Sequence, residues 1–302
     1  MKAPFRSLLL FCAALTVALP CSAKTADGKP LIVMIAGKPS HGPGQHEHNA
    51  GIQLLAKCLK AGASGAELKV HLNAEWPTAE EFAAADTVVI YADGGGGHPA
   101  LQGDRLAELA AQMKRGLGFV CLHYAVEVPK EKGGPEFREW LGGYFEPNWS
   151  VNPHWTANFK ELPKHPISNG VKPFSIKDEW YYHMRFRAGM AGVTPVLTDL
   201  PPEDTLTGRK DGPHSGNPDV RAAVLERKEP QHVAWAVERP DGGRGFGFTG
   251  GHFHQGWAND DQRKLVLNAI LWTARAEVPA TGVESAVTPE ELAANLDPKG
   301  KK

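Results

Sequence analysis

A short apolar run giving way to a helical pattern recurs four times in the first half of this chain, and that alternation restricts the fold more than any single motif. Leu31-Ile32-Val33-Met34-Ile35-Ala36 is closed by Gly37, after which Ile52, Leu55 and Leu59 recur at helical spacing with Gly62 as a stop. Glu67 to Leu72 alternates in part, and Thr78-Ala79-Glu80-Glu81 then has the Thr/Glu spacing of a helix start. Asp86 to Tyr91 is the third run, followed by an amphipathic helix marked by Leu106, Leu109 and Met113. The fourth is Gly118-Phe119-Val120-Cys121-Leu122. Runs apolar on both faces belong to a buried parallel sheet. The pattern predicts an α/β fold with a doubly wound, mainly parallel sheet and right-handed crossovers, in which ligands bind outside the carboxyl ends of the strands.

The fourth run stops on His123, with the small residues Cys121 and Ala125 on either side. That is the pattern of a strand-to-helix elbow, whose tip side chain is pushed outward while its flanks are crowded. A plain strand ending at a surface histidine would read the same way. Hydrolase elbows carry a Ser or Cys nucleophile, which a histidine tip does not supply. Cys121 should be buried inside the strand, so thiol catalysis is not expected.

Histidines gather at the predicted strand ends: His41, His46 and His48 after the first, His98 after the third, His123 after the fourth. If the sheet is wound as argued, several converge on one crevice as acid/base groups or metal ligands. His46-Glu47-His48 and His252-Phe253-His254 each place two imidazoles two residues apart, on one side if the segment is extended, so His46, His48 and His254 are candidate ligands of a divalent metal such as Zn. Asp93-Gly94-Gly95-Gly96-Gly97 frees the backbone for close approach to a ligand, with Gly94 and Gly95 as possible N–H donors.

From Pro129 the pattern changes to a loop-rich aromatic insertion with Trp140, Trp149 and Trp155. His154-Trp155 and Tyr181-Tyr182-His183 set aromatics beside histidines, either to stack on a sugar ring or as the core of that layer. Asp199 to Asp219 is rich in Pro, Gly and Asp and reads as a surface loop. The runs Val220 to Leu225 and His232 to Val237 read as strands, and Asp241-Gly242-Gly243 as a hairpin turn into Arg244 to Thr249. A helix from about Asp260, with Leu265, Ile270 and Leu271 apolar, completes a domain over 30–275, and 276–302 reads as a polar tail without a catalytic part.

The balance of 33 Lys+Arg against 34 Asp+Glu leaves no basic field for nucleic acid, so a small or neutral ligand is expected. Lys2, Arg6, the apolar stretch Leu8 to Leu19 and the small residues to Ala23 form a signal peptide over 1–23, which points to a periplasmic or secreted protein. No later run approaches the ~20 apolar residues needed to span a bilayer. Cys58 and Cys121, the cysteines left after cleavage, are expected to be buried and unpaired.

Taken together, the Ser40-His41 loop, Gly118 to His123, His165-Pro166-Ile167, Asp178-Glu179-Trp180-Tyr181, Gly243-Arg244-Gly245 and Gly251-His252 resemble the ThuA-like family, of trehalose-utilisation type. The resemblance runs from about Leu31 to Ala274 and implies a flavodoxin-like, class I glutamine amidotransferase-like fold. It also implies that His123 stands where relatives with amidotransferase activity carry cysteine, so glutamine hydrolysis is not expected. The ligand it implies is a carbohydrate, such as a disaccharide or a keto derivative.

Two functions fit this reading. One is an extracytoplasmic enzyme on a sugar or glycoside, with His123, His252 and Glu179 as catalytic groups and His41, Asp93, Gly94, Gly95, Tyr124 and Tyr181 around the ligand. The other is a sugar-binding module with the same crevice and no turnover.

Overall fold

A computed structural model describes residues 28–62 and 65–299; the signal peptide read over 1–23 lies outside the described residues. Seven strands form the central sheet. Numbered in chain order they are β1 (Leu31–Ala36), β2 (Glu67–His71), β3 (Thr87–Tyr91), β4 (Gly118–Leu122), β5 (Val193–Asp199), β6 (Gln231–Glu238) and β7 (Arg244–Phe248). They lie in the order β2-β1-β3-β4-β7-β6-β5, and β6 alone runs against its neighbours. This is the mainly parallel, doubly wound sheet that the alternation predicts, in the flavodoxin-like form that the resemblance implies.

The continuous apolar runs resolve into two buried layers. Ile32, Met34, Val89, Tyr91, Val120 and Leu122 face the helices His48–Gly62 and Asp260–Thr273, while Val33, Ile35, Val88, Ile90, Phe119 and Cys121 pack with Leu109 and Met113 of Arg105–Met113. Residues pointing alternately up and down in strands covered on both faces must all be apolar, which is why no polar face interrupts these runs. Thr78 caps the helix Ala79–Ala84 with a full capping box. Cys58 and Cys121 are buried and free.

One strand expectation fails. Pro218–Arg221 is α-helical and Ala222–Glu226 continues it as a π turn. The apolar run Val220 to Leu225 gives no periodicity that separates strand from buried helix. The deciding signal lies just upstream: the Asn217 side chain caps the helix by accepting the Val220 N–H, and Pro218 occupies its first turn.

The aromatic insertion is held by its own core. The antiparallel hairpin Trp155–Phe159 with Phe174–Asp178 pairs Trp155 with Asp178. Trp155 donates its indole N–H to the Trp180 carbonyl at 2.9 Å, the Arg185 guanidinium lies over Trp149 at 3.5 Å, and Trp180 and Tyr182 are fully buried. These rings build the layer rather than present a stacking face.

The closing segment packs back onto the domain. Val283 and Leu292 join the main core, the Asp297 backbone N–H donates to Glu47 Oε2 at 2.9 Å, and the Lys299 ammonium reaches Glu47 Oε1 at 3.2 Å. It therefore buttresses the histidine loop after β1.

Candidate metal and substrate site

Loops leaving the carboxyl ends of β1, β3, β4 and β7 supply His46, Asp93, His123 and His252. The chain passes from β1 outward to β2 and then back across to β3, so this end of the sheet is the topological switch point where α/β folds place ligands. His123 begins a turn of 3-10 helix directly after β4 with φ 54°. A left-handed conformation at a residue with a Cβ is costly and persists where surrounding packing enforces it, as at an elbow tip. Here the ring is fully buried, with Nδ1 at 2.8 Å from the Thr249 carbonyl.

Glu179 arrives from the insertion. Its neighbour Asp178 is fully buried and accepts the backbone N–H groups of Gly251 at 2.7 Å, His252 at 3.0 Å and Glu179 at 2.8 Å. That carboxylate ties the inserted hairpin to the end of β7. Glu179 Oε2 then stands 3.0 Å from His252 Nδ1 and 3.5 Å from His123 Nε2. One ligand atom each from His46, His123, Glu179 and His252 lies within 4.8 Å of the others.

Tautomers follow from the partners. A carbonyl only accepts, so His123 Nδ1 carries a proton toward Thr249, which leaves Nε2 as the nitrogen that could bind a cation. His46 Nδ1 donates to the Asp93 carboxylate at 2.7 Å, which likewise frees its Nε2. The two Nε2 atoms are 3.1 Å apart, and His46 Nε2 is also 3.0 Å from His252 Nδ1. Burial, reinforced by the neighbouring His123, pushes His46 far below the usual imidazole range and keeps it neutral. Two imidazole nitrogens this close, each with its Nδ1 hydrogen directed elsewhere, suit a shared cation. The backbone carbonyl behind His123 and the carboxylate behind His46 are the outer partners that orient metal-binding imidazoles. Three imidazole nitrogens and one carboxylate oxygen suit a divalent ion of intermediate softness.

Burial would raise Glu179, but the adjacent imidazoles of His123 and His252 hold it well below the usual carboxylate range. Tyr181 brings its hydroxyl to 3.2 Å from His123 Nε2 and 3.3 Å from Glu179 Oε2. Burial, with the Glu179 charge beside it, pushes this phenol well above its ordinary value. Tyr124 packs edge-on to both His46 and Tyr181, and burial raises its phenol to about 12.

The expected residues separate into those gathered and those not. His123, His252, Glu179, His46 and Tyr181 meet in the cluster, and Asp93 stands behind His46. His41 stacks on His46 at 3.6 Å between ring centroids, with its Nδ1 3.9 Å from Asp93. His48 lies beside the cluster: Nδ1 is 3.2 Å from the Lys38 carbonyl, Nε2 is 3.7 Å from Asp93, and burial takes its pKa down to about 4.

His254 is turned away, its Nε2 2.9 Å from the Leu292 carbonyl. Pairing at i and i+2 requires extended backbone, whereas His254 opens a 3-10 helix, and His46, with φ 46°, leads into a helix that starts at His48. Gly95 does not act as the free donor expected of it. The Gly95 N–H donates to the Glu127 carbonyl at 3.0 Å, and a Cβ on Gly94 would stand 2.2 Å from the Tyr124 carbonyl oxygen. Glycine is needed there so that the loop can pack on the elbow. Sequence reasoning missed the two supports, Asp93 as partner of His46 and Asp178 as the clamp on His252.

A family model described as ThuA, trehalose utilisation, matches residues 33–273. No curated protein matches. Among solved structures, a ThuA-like protein from Bacteroides uniformis is similar with a TM-score of 0.56 and 16% identity, covering 81% of this chain and 91% of its own. A ThuA-like protein from Parabacteroides merdae follows with a TM-score of 0.52 and 14% identity, covering 86% and 94%. At these identities the likeness is one of fold.

Proposed function

The chain belongs to the ThuA family, and on that premise we propose an extracytoplasmic enzyme that acts on a sugar, glycoside or keto-sugar with a divalent cation held by His46, His123, Glu179 and His252. The single observation that carries this reading is the approach of the His46 and His123 Nε2 atoms to 3.1 Å, with each Nδ1 turned to an acceptor. The family's description favours a saccharide ligand, and the signal pattern from Lys2 to Ala23 favours a place outside the cytoplasm.

A cation bound there supplies Lewis-acid polarisation of a sugar oxygen. The chain's own groups do the rest. Tyr181, protonated at neutral pH, offers an O–H at the rim of the cluster as hydrogen-bond donor or general acid. Glu179, ionised, brings a carboxylate charge beside His252 Nδ1. Cys121 is fully buried and its thiol is raised well above the ordinary value by burial, which argues against thiol chemistry.

The test is turnover of a panel of keto-disaccharides by tag-free protein. Product formation abolished by a chelator and by His123→Ala supports an enzyme. Retained saccharide binding without turnover supports a binding module on the same fold.

A further inference from the structure

Two backbone hydrogen bonds join the loop after β1 to the segment after β7: the His46 N–H donates to the His252 carbonyl at 3.0 Å, and the His254 N–H to the Gly44 carbonyl at 2.9 Å. The segments that carry His46 and His252 therefore meet as a short antiparallel bridge, with Gln45 opposite Phe253. A closing strap, from Thr288 to Lys299, reaches both of them. It lies beyond the family match, which ends at residue 273.

On the β7 side the Leu292 carbonyl accepts from His254 Nε2 at 2.9 Å. On the β1 side the Lys299 ammonium donates to the Gln45 carbonyl and, at 3.2 Å, to the His46 carbonyl, and it pairs with the Glu47 carboxylate at 3.2 Å. That carboxylate is buried and also takes the N–H groups of Gly44 at 2.8 Å and Asp297 at 2.9 Å. Asp297 Oδ1 accepts from Asn49 at 2.8 Å, in the first turn of the helix that follows the loop. A cavity of about 540 Å³ is lined by Gln45, Phe253 and His254 of the bridge and by Leu292, Ala293 and Leu296 of the strap. Polar pins with open space between them, rather than continuous packing, join the strap to the bridge.

His46 has φ 46°, a left-handed conformation that a residue with a Cβ holds only where its surroundings enforce it. The Lys299 ammonium touches the carbonyl of that residue and of the one before it. Its side chain is 6% exposed and that of Glu47 1%, so solvent ions screen the pair little. Resting on the reading of the cluster as a metal site, we infer that the strap sets the affinity of that site for its cation. Lys299 is a positioning residue, which fixes the peptide carrying His46 and so the direction of its Nε2.

The experiment is competition for zinc between the full chain and a chromogenic chelator. Lys299→Met removes the charge and keeps the length of the side chain, and should weaken zinc binding by about 10–100-fold, the usual cost of a group that orients a ligand. Lys299→Arg should restore part of the loss. Asp297→Ala removes the carboxylate facing Asn49 and should cost about two- to tenfold, the weight of one hydrogen bond. Val283→Ala is the control: it removes methyl groups from the core and none of these contacts, and should lower the unfolding midpoint with zinc affinity unchanged. Equal zinc affinity in the parent and the strap variants, or a loss no larger than that of Val283→Ala, would overturn the inference while leaving the cluster reading intact. If Lys299→Met does not fold, the Asp297→Ala affinity decides. A parent chain that binds no zinc would overturn both.

Discussion

Asp178 accepts the backbone N–H of His252 at 3.0 Å from a position 74 residues away in sequence, and so couples the inserted hairpin to the end of β7. Its other oxygen takes the Gly251 N–H at 2.7 Å, at a turn where Gly251 adopts φ 101°. Burial raises this carboxyl, opposed by the backbone hydrogen bonds it accepts from Gly251 and Glu179. Asp178→Asn sets an amide N–H₂ against backbone N–H groups that need acceptors. A loss of about 1–3 kcal/mol in denaturant unfolding is expected, along with weaker metal binding, because Glu179 and His252 lose their common anchor. An unchanged midpoint with unchanged metal content would remove the clamp from the account.

Asp93 acts on the metal only through His46. It is partly exposed, so Asp93→Asn should fold normally. Losing the charged acceptor for His46 Nδ1 should weaken zinc affinity by about 10–100-fold, the usual cost of an outer partner. Competition with a chromogenic chelator measures this directly; equal affinity would show that Asp93 does not orient the ring.

Tyr181→Phe removes a hydroxyl and leaves every proposed ligand atom in place. Zinc content should be unaffected while kcat on a keto-disaccharide falls by about 10²–10⁴-fold, the range for a positioned acid. A KM increase with kcat unchanged would make the phenol a binding contact instead.

A source of acid sensitivity is expected outside the cluster. His98 is fully buried, accepts the Ala100 N–H at 3.0 Å and lies 3.2 Å from the Ala125 carbonyl, and burial lowers its pKa from 6.5 to about 4. Below 6.5 the unfolded chain takes up a proton that the folded chain refuses until about pH 4, so stability is present above that window and falls as pH drops through it. Between pH 7 and pH 5 this group should cost about 2 kcal/mol. His98→Asn, which can still cap the turn, should show a correspondingly shallower decline than the parent in unfolding measured at both pH values; identical slopes would exclude His98 as a source.

Much of this was legible in the sequence, for identifiable reasons. The runs Leu31 to Ala36 and Gly118 to Leu122 could only be buried strands of a covered sheet, and that architecture puts residues following strand ends on one side of the molecule. His46, His123 and His252 follow from it. Glu179 does not, because it sits at the end of a hairpin whose course over the sheet is set by long-range packing; it was named from a family likeness, and the contact through Asp178 explains why it arrives. His254 was misplaced because spacing assumes a backbone conformation, and a 3-10 turn turns its imidazole away from that of His252. The Gly95 N–H is taken by the Glu127 carbonyl, because conformational freedom in a loop does not say which neighbour uses it.

A crystal of protein purified without a tag, measured on both sides of a transition-metal absorption edge, tests the central claim most directly. One anomalous peak is expected, about 2.0–2.2 Å from His46 Nε2, His123 Nε2, His252 Nδ1 and a Glu179 oxygen. A cluster that closes on itself through shared protons after incubation with zinc, with no anomalous peak among these four side chains, would contradict it.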